Sequence, residues 1–467
     1  MKRNQNMTEG KPFNILVRFA IPILVGDLLQ NCYSLVDTII VGRLLGPNAL
    51  AAVGNTGPLS FLVLGFVLGM TEGFALVTAQ AFGSKDSERL KSSIAMNIML
   101  NAASIVLFTT FSILMSKPVL VLMNTPDEVI GLSHKYICTI YAGIGASILY
   151  NGSACILRAI GDSKRPLYFL IISSVLNIIL DIVFIKFLKL GVQGAALATV
   201  IAQTVSGTLE VITIIVKYPE LHIKRKHFKW NSAFAFEHLK IGVPMAFQYS
   251  VTAVGVIILQ GALNTFGAVK MAAYAAASKV DQLITAAGSG FGVVMANYTG
   301  QNFGAKRIDR IKKGVTAGTF ITLTIAAISM TIAFVFPEHL TSLFIDKNLE
   351  VAPEIFASAR QYLFICGLFF PVLNMIFVYR NVLQAMGKSL MPVLGGFFEL
   401  FARTICAFTL PKVFGFSGIC MAGPAAWLAT EIPHCIVYFF TVNKIEKQMK
   451  IEQASGSASA EISAPQN

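Results

Sequence analysis

Charge is scarce in this sequence. Only 13% of its 467 residues are Asp, Glu, Lys or Arg, against 55% that are hydrophobic. A soluble chain of this length needs far more charge to cover its surface. Metal and redox patterns are missing too. The seven cysteines are scattered, with no CxxC and no Cys/His cluster, and the six histidines are dispersed. Cys32, Cys155, Cys366 and Cys406 fall in apolar stretches and read as small packing residues. No GxxxxGK[ST] loop occurs, which leaves direct nucleotide drive unsupported, and no enzymatic signature stands out. The apolar runs lack two-residue alternation, which argues against a β-barrel. The start, MKRNQNMTEGKPFN, is polar and basic and leads into a full-length apolar span without a small-residue cleavage site. No cleavable signal peptide is therefore expected.

Long apolar runs are what the sequence does have. Twelve spans are predicted, near 14–40, 50–80, 92–116, 130–157, 166–187, 192–217, 237–264, 272–298, 312–336, 355–383, 391–413 and 418–442. Each is close to the roughly 20 residues that cross a hydrocarbon core of about 30 Å. The fold class is an all-α polytopic membrane protein. With the amino terminus inside, 25 of the 37 Lys and Arg residues, Arg158 among them, fall on one side. The positive-inside rule then puts both termini in the cytoplasm. The net charge of +13 thus has a membrane explanation, and no nucleic-acid partner is implied.

The chain repeats itself. AQAFGSKDSERLK (79–91) matches GQNFGAKRIDRIK (300–312) at an offset of 221. Pro22 pairs with Pro244 at 222, and RAIGDSKRP (158–166) with QAMGKSLMP (384–392) at 226. Each half holds six spans, so both halves enter from the same side. That predicts two parallel lobes about an axis along the membrane normal, with a central cleft suited to alternating access. The expected division is 1–225 for the first lobe, 226–446 for the second, and a disordered Ser/Ala-rich tail over 447–467.

Carboxylates inside the spans cost free energy and invite a functional reading. Leu170 to Val200 forms an apolar hairpin with Asp181 well inside its first helix. Asn177 lies one turn earlier on the same face, and Thr199 lies in the second helix. Asp181 and Thr199 are each nine residues from the turn near Leu190, which sets both about 13 Å deep. Asp37 sits at a similar distance from the outer end of span 1. Asp37, Asn177, Asp181 and Thr199 thus offer oxygen ligands at one level, suited to a hard cation or to a shared proton. Asp27, Gln30 and Asn31 form a polar patch on the inner half of span 1. Glu399 and Arg403, four apart on span 11, are placed to pair. These five are candidate cleft residues, and Arg380 is expected to snorkel from the end of span 10 or to bind backbone. Lys279 and Asp281 do not share a helix face, and neither has an assigned role. A few of the 35 Phe are available to flat cationic substrates through cation–π contact.

These residues resemble the multidrug and toxic compound extrusion (MATE) family over roughly residues 12–445. The specific pieces are VDTIIVGRLLG (36–46), the QxFGxK loop of both halves, RAIGDSKRP with QAMGKSLMP, and NIILD followed by GAALAT. The resemblance implies twelve helices in two six-helix lobes. It implies a secondary antiporter of the bacterial cytoplasmic (inner) membrane that exchanges H⁺ or Na⁺ for organic cations such as drugs and dyes. No cofactor beyond the coupling ion is implied, and the partners are those cations and membrane lipid around a monomer. The family's N-lobe cation site matches Asp37, Asn177, Asp181 and Thr199. Spans 7 and 10, where another branch carries acids, hold only Glu237 and Glu354 at their ends. Asp27 stands where the family leads one to expect an amide. At offset 226, Arg403 and Ala407 replace Asn177 and Asp181, so the first lobe is expected to handle the ion. The alternative within the wider superfamily is a lipid-linked flippase.

Overall fold

A computed structural model of the chain describes residues 6–123 and 125–462. Among these residues the regular structure is entirely helical. Twelve long helical units cross the bilayer: α1 Pro12–Leu45, α2 Pro47–Gly83, α3 Ser87–Leu122, α4 in two pieces (Asp127–Ala142 and Ile144–Ala159), α5 Lys164–Ile182 and α6 Val192–Lys217. The second set is α7 Ser232–Leu263, α8 Gly267–Gly304, α9 Ile308–Val335, α10 in two pieces (Ala352–Leu368 and Phe370–Ala385), α11 Leu390–Thr409 and α12 Phe416–Ile462. The last helix runs on to Ile462, where the sequence predicts a disordered tail from residue 447. Residues 463–467 lie outside the described residues.

The repeat is written into the backbone. Gly46 (φ 82°) joins α1 to α2, and Gly267 (φ 81°) joins α7 to α8. Lys85 and Lys306, after the QxFG motifs, are both left-handed at φ 61° and 55°. Gly161 pairs with Gly387, and Gly191 with Gly415, again with positive φ. Side chains other than glycine rarely adopt this region, so its recurrence at matched offsets marks one scaffold used twice. Both two-piece helices also bend alike, α4 by 46° and α10 by 48°. The α4 bend falls at Gly143, where a Cβ would meet Val200 of α6 at 2.2 Å. Only a residue without a side chain lets α6 pass that closely.

Apolar packing separates the two ends of the molecule. Towards the end that carries the termini, several buried clusters mix the lobes. Leu16, Phe19 and Ile23 of α1 pack with Phe291 and Met295 of α8, and Leu76 and Val77 of α2 pack with Ile241 and Met245 of α7. On the opposite end each cluster draws on one lobe, as with Tyr141 and Leu120 in the first and Leu363 and Ile419 in the second. The lobes are thus sealed together at the terminal end and part towards the other, leaving a cleft between them.

The seal explains the duplicated motif. Gln80 donates to the Ala385 carbonyl, and its counterpart Gln301 donates to the Ala159 carbonyl, both at 2.8 Å. Each motif glycine lies under the other lobe's glutamine. A Cβ on Gly83 would meet the Gln301 carbonyl oxygen at 1.9 Å, and one on Gly304 the Gln80 oxygen at 1.8 Å. Arg89 pairs with Glu237 across the lobes at 2.6 Å, and Ser93 meets His238 at 3.0 Å.

Candidate functional site

The hairpin α5–α6 departs from a regular helix just past Asp181. Residues Val183–Phe187 form a π turn, which widens the ladder by one residue and reaims what precedes it. Lys189 then takes φ 53°, a left-handed position with no partner in the second lobe. Asn177 and Asp181 are almost fully buried, at 1% and 0% exposure. The Asn177 amide satisfies both neighbours in one orientation. Its nitrogen then donates to Asp181 Oδ2 at 3.0 Å, and its oxygen accepts from Thr199 Oγ1 at 3.2 Å and the Thr199 amide at 3.1 Å.

Asp37 enters from α1, with its carboxyl group within hydrogen-bonding reach of Asp181. Two facing carboxyl groups need a proton or a cation between them. Asp37 Oδ1 and Asp181 Oδ1 are both buried without a protein partner. Tyr33 of α1 reaches Thr199, and Tyr136 of α4 flanks the acids. The four residues Asp37, Asn177, Asp181 and Thr199 therefore meet at one place inside the first lobe. Their chemistry is that of a proton site or of an all-oxygen site for a hard cation. Among the described residues no group of three His, Cys, Asp or Glu side chains is arranged as a metal centre.

The remaining predicted residues scatter. Asp27 sits at the lobe interface, its carboxylate against Gly290 of α8, where a Cβ would meet Oδ2 at 2.0 Å. Gln30 is exposed and Asn31 half-buried. Glu399 and Arg403 form an ion pair at 2.5 Å, with side chains 14% and 11% exposed. The pair is part of the second lobe's α11, remote in sequence and in helix from the acids of the first lobe.

One sequence expectation is corrected. Arg380 does not snorkel from a helix end. It lies inside the second piece of α10, held by the Gln248 carbonyl oxygen at 3.0 and 3.2 Å and by the Phe377 ring at 5.4 Å. Arg158, counted from the sequence with the charges of the inner side, stands at that end of the molecule. It lies in the last turn of α4 and lines a small cavity of about 20 Å³ with Glu72, Cys155, Asn297 and Asn381. That space holds about one water molecule between the lobes.

Glu72 of α2 is a further acid deep inside a helix. In the structure it carries a hydrogen bond across the lobes, from Tyr249 at 3.3 Å. The signal in the sequence was weak, because Tyr249 is 177 positions away. Other acids inside the helices stand apart. Glu210 accepts from Ser153 at 2.5 Å, and Asp281 accepts from Tyr362 at 3.2 Å. The second lobe thus holds acids of its own, half-buried Asp281 on α8 and buried Glu431 on α12, rather than on the helix matching α5.

Twelve helices in two fused, duplicated lobes with a cleft open to one side define a polytopic membrane transporter. The chain belongs to the MatE family, whose model matches residues 22–183 and 244–409, one stretch in each lobe. The two matches start on the repeat-related Pro22 and Pro244. The chain is 28% identical over 386 residues to the probable multidrug resistance protein YpnP of Bacillus subtilis, covering 82% of this chain and 85% of that one. It is 30% identical over 339 residues to the probable multidrug resistance protein YoeA of the same organism, covering 71% and 73%. A solved multidrug resistance MATE transporter of the MOP superfamily, in an outward-facing conformation, superposes with a TM-score of 0.89. It is 21% identical, with 95% and 99% of the two chains covered.

Proposed function

We propose that this protein is an antiporter that draws H⁺ or Na⁺ in through the first lobe and exports organic cations such as drugs and dyes. The observation that carries this reading is the facing pair Asp37 and Asp181, each with a buried oxygen that no protein group satisfies. A proton or a sodium ion completes that pair. Asn177 and Thr199 then act as neutral ligands and orient Asp181. Filling the site changes the charge on α1, and α1 packs directly on α8 of the other lobe. Ion binding and lobe separation are thereby linked without a nucleotide.

On this reading the basic, terminus-bearing end is cytoplasmic, the lobes are 1–225 and 226–446, and the working unit is a monomer in the bacterial cytoplasmic membrane. The test is ethidium transport in vesicles with a Na⁺ or a pH gradient imposed one at a time. The gradient that drives ethidium names the ion. Asp37→Asn is expected to abolish gradient-driven transport while leaving the amount of folded protein unchanged. Full transport by that variant overturns the assignment of the site. Ethidium movement with neither gradient, or none with both, overturns antiport of organic cations.

A further inference from the structure

A sizeable cavity lies outside the lobe cleft. It has a volume of about 820 Å³ and is formed by α3, the second piece of α4, and α6, with the segment Leu221–Lys224 at its base. Ile94, Ile105, Ile148 and Ile214 make its walls apolar. The few polar side chains in the wall are already engaged. Asn101 donates to Asn97 at 2.7 Å, and Ser153 donates to Glu210. Ile98 (44% exposed) and Ile215 (55% exposed) stand at the side that faces the bilayer. The base differs in character. Lys224 is exposed there, with exposed Arg225 next in the chain, and neither forms an ion pair among the described residues, whereas the adjacent Lys226 is bound to Glu88 at 2.7 Å.

We propose that this cavity is a binding site for an anionic phospholipid of the leaflet on the terminal side. Its acyl chains occupy the isoleucine-lined space and its headgroup phosphate meets Lys224 and Arg225. The pattern of an apolar hollow with a basic rim at membrane-interface depth matches that ligand. It opposes a cationic cargo, which would meet like charge at Lys224. Seated there, the lipid ties α3, α4 and α6 to the segment that links the two lobes. The inference does not depend on the ion or the exported substrate.

The experiment uses the purified full-length protein and compares retention of phosphatidylglycerol and phosphatidylcholine of identical chains by native mass spectrometry. Phosphatidylglycerol is expected to bind more tightly. Lys224→Glu is expected to cut that preference by about fivefold or more, and Lys224→Glu with Arg225→Glu to remove it. Lys388→Glu, also exposed but far from the cavity, should leave it intact. Ala102→Trp, which fills the hollow from α3, should lower retention of both lipids. All variants are first checked for monodispersity and helical content, and the exposed charge reversals keep the test readable if Ala102→Trp does not fold. Equal retention of the two lipids, or a preference untouched by Lys224→Glu with Arg225→Glu, overturns the proposal. Displacement of phosphatidylglycerol by ethidium overturns it as well, because the cavity would then take cations.

Discussion

At the scale of single residues, the acids divide by what faces them. Asp181 is surrounded by Asn177, Thr199 and Asp37, and its remaining oxygen has no protein partner. Asn177→Ala removes the group that orients Asp181 and joins it to Thr199. It should weaken ion-driven efflux, read as a higher ion concentration for half-maximal transport, whereas Asp181→Asn should stop transport altogether. Glu399 and Arg403 are the contrasting case, since each already satisfies the other. Arg403→Met leaves a buried carboxylate unpaired and is expected to destabilise the protein by about 3–5 kcal/mol. Adding Glu399→Gln should recover much of that loss, as measured by thermal unfolding in detergent. A transport defect in the double variant with stability restored would instead mark the pair as part of the cleft.

At the scale of elements, the two QxFG segments do the same job from opposite lobes. Gly83 and Gly304 let α2 and α8 cross where any Cβ would strike backbone. Gly83→Ala forces the helices apart at the seal and should cost about 1–3 kcal/mol, with Gly304→Ala behaving alike. The readout is a lower unfolding temperature together with greater access of a thiol reagent to a cysteine placed at Ser93. Unchanged access would show that the seal does not rest on these crossings. The sequence displayed this motif twice, because a local pattern of Gln, Phe, Gly and Lys survives as text. It did not display the π turn at Val183–Phe187 or the two helix bends. Those follow from what α6 and neighbouring helices press against Gly143 and its counterparts, which no local propensity records.

At the scale of the whole molecule, the packing predicts reciprocal motion. The apolar clusters that span both lobes lie towards the terminal end, and those at the other end stay within one lobe. Spin labels at Asn48 and Ala268, on the open end, should approach one another when the protein turns over. A second pair at Arg89 and Glu237 should separate in the same conditions. Measured distances that move in the same direction would contradict a rocking of two lobes about a fixed centre.

The amino-acid sequence by itself determined the membrane class, the twelve spans and the duplicated plan. Apolar runs of bilayer length and repeated turn residues act locally and leave a readable pattern. It also placed Asp37, Asn177, Asp181 and Thr199 at one depth, because helical rise converts residue count into distance. Only the tertiary structure decided which side of the lobes is sealed, that Glu72 with Tyr249 bridges them, and that Arg158 and Arg380 belong inside. Those outcomes depend on contacts between helices hundreds of residues apart. A charge counted along the chain carries no information about the surface that will later close over it.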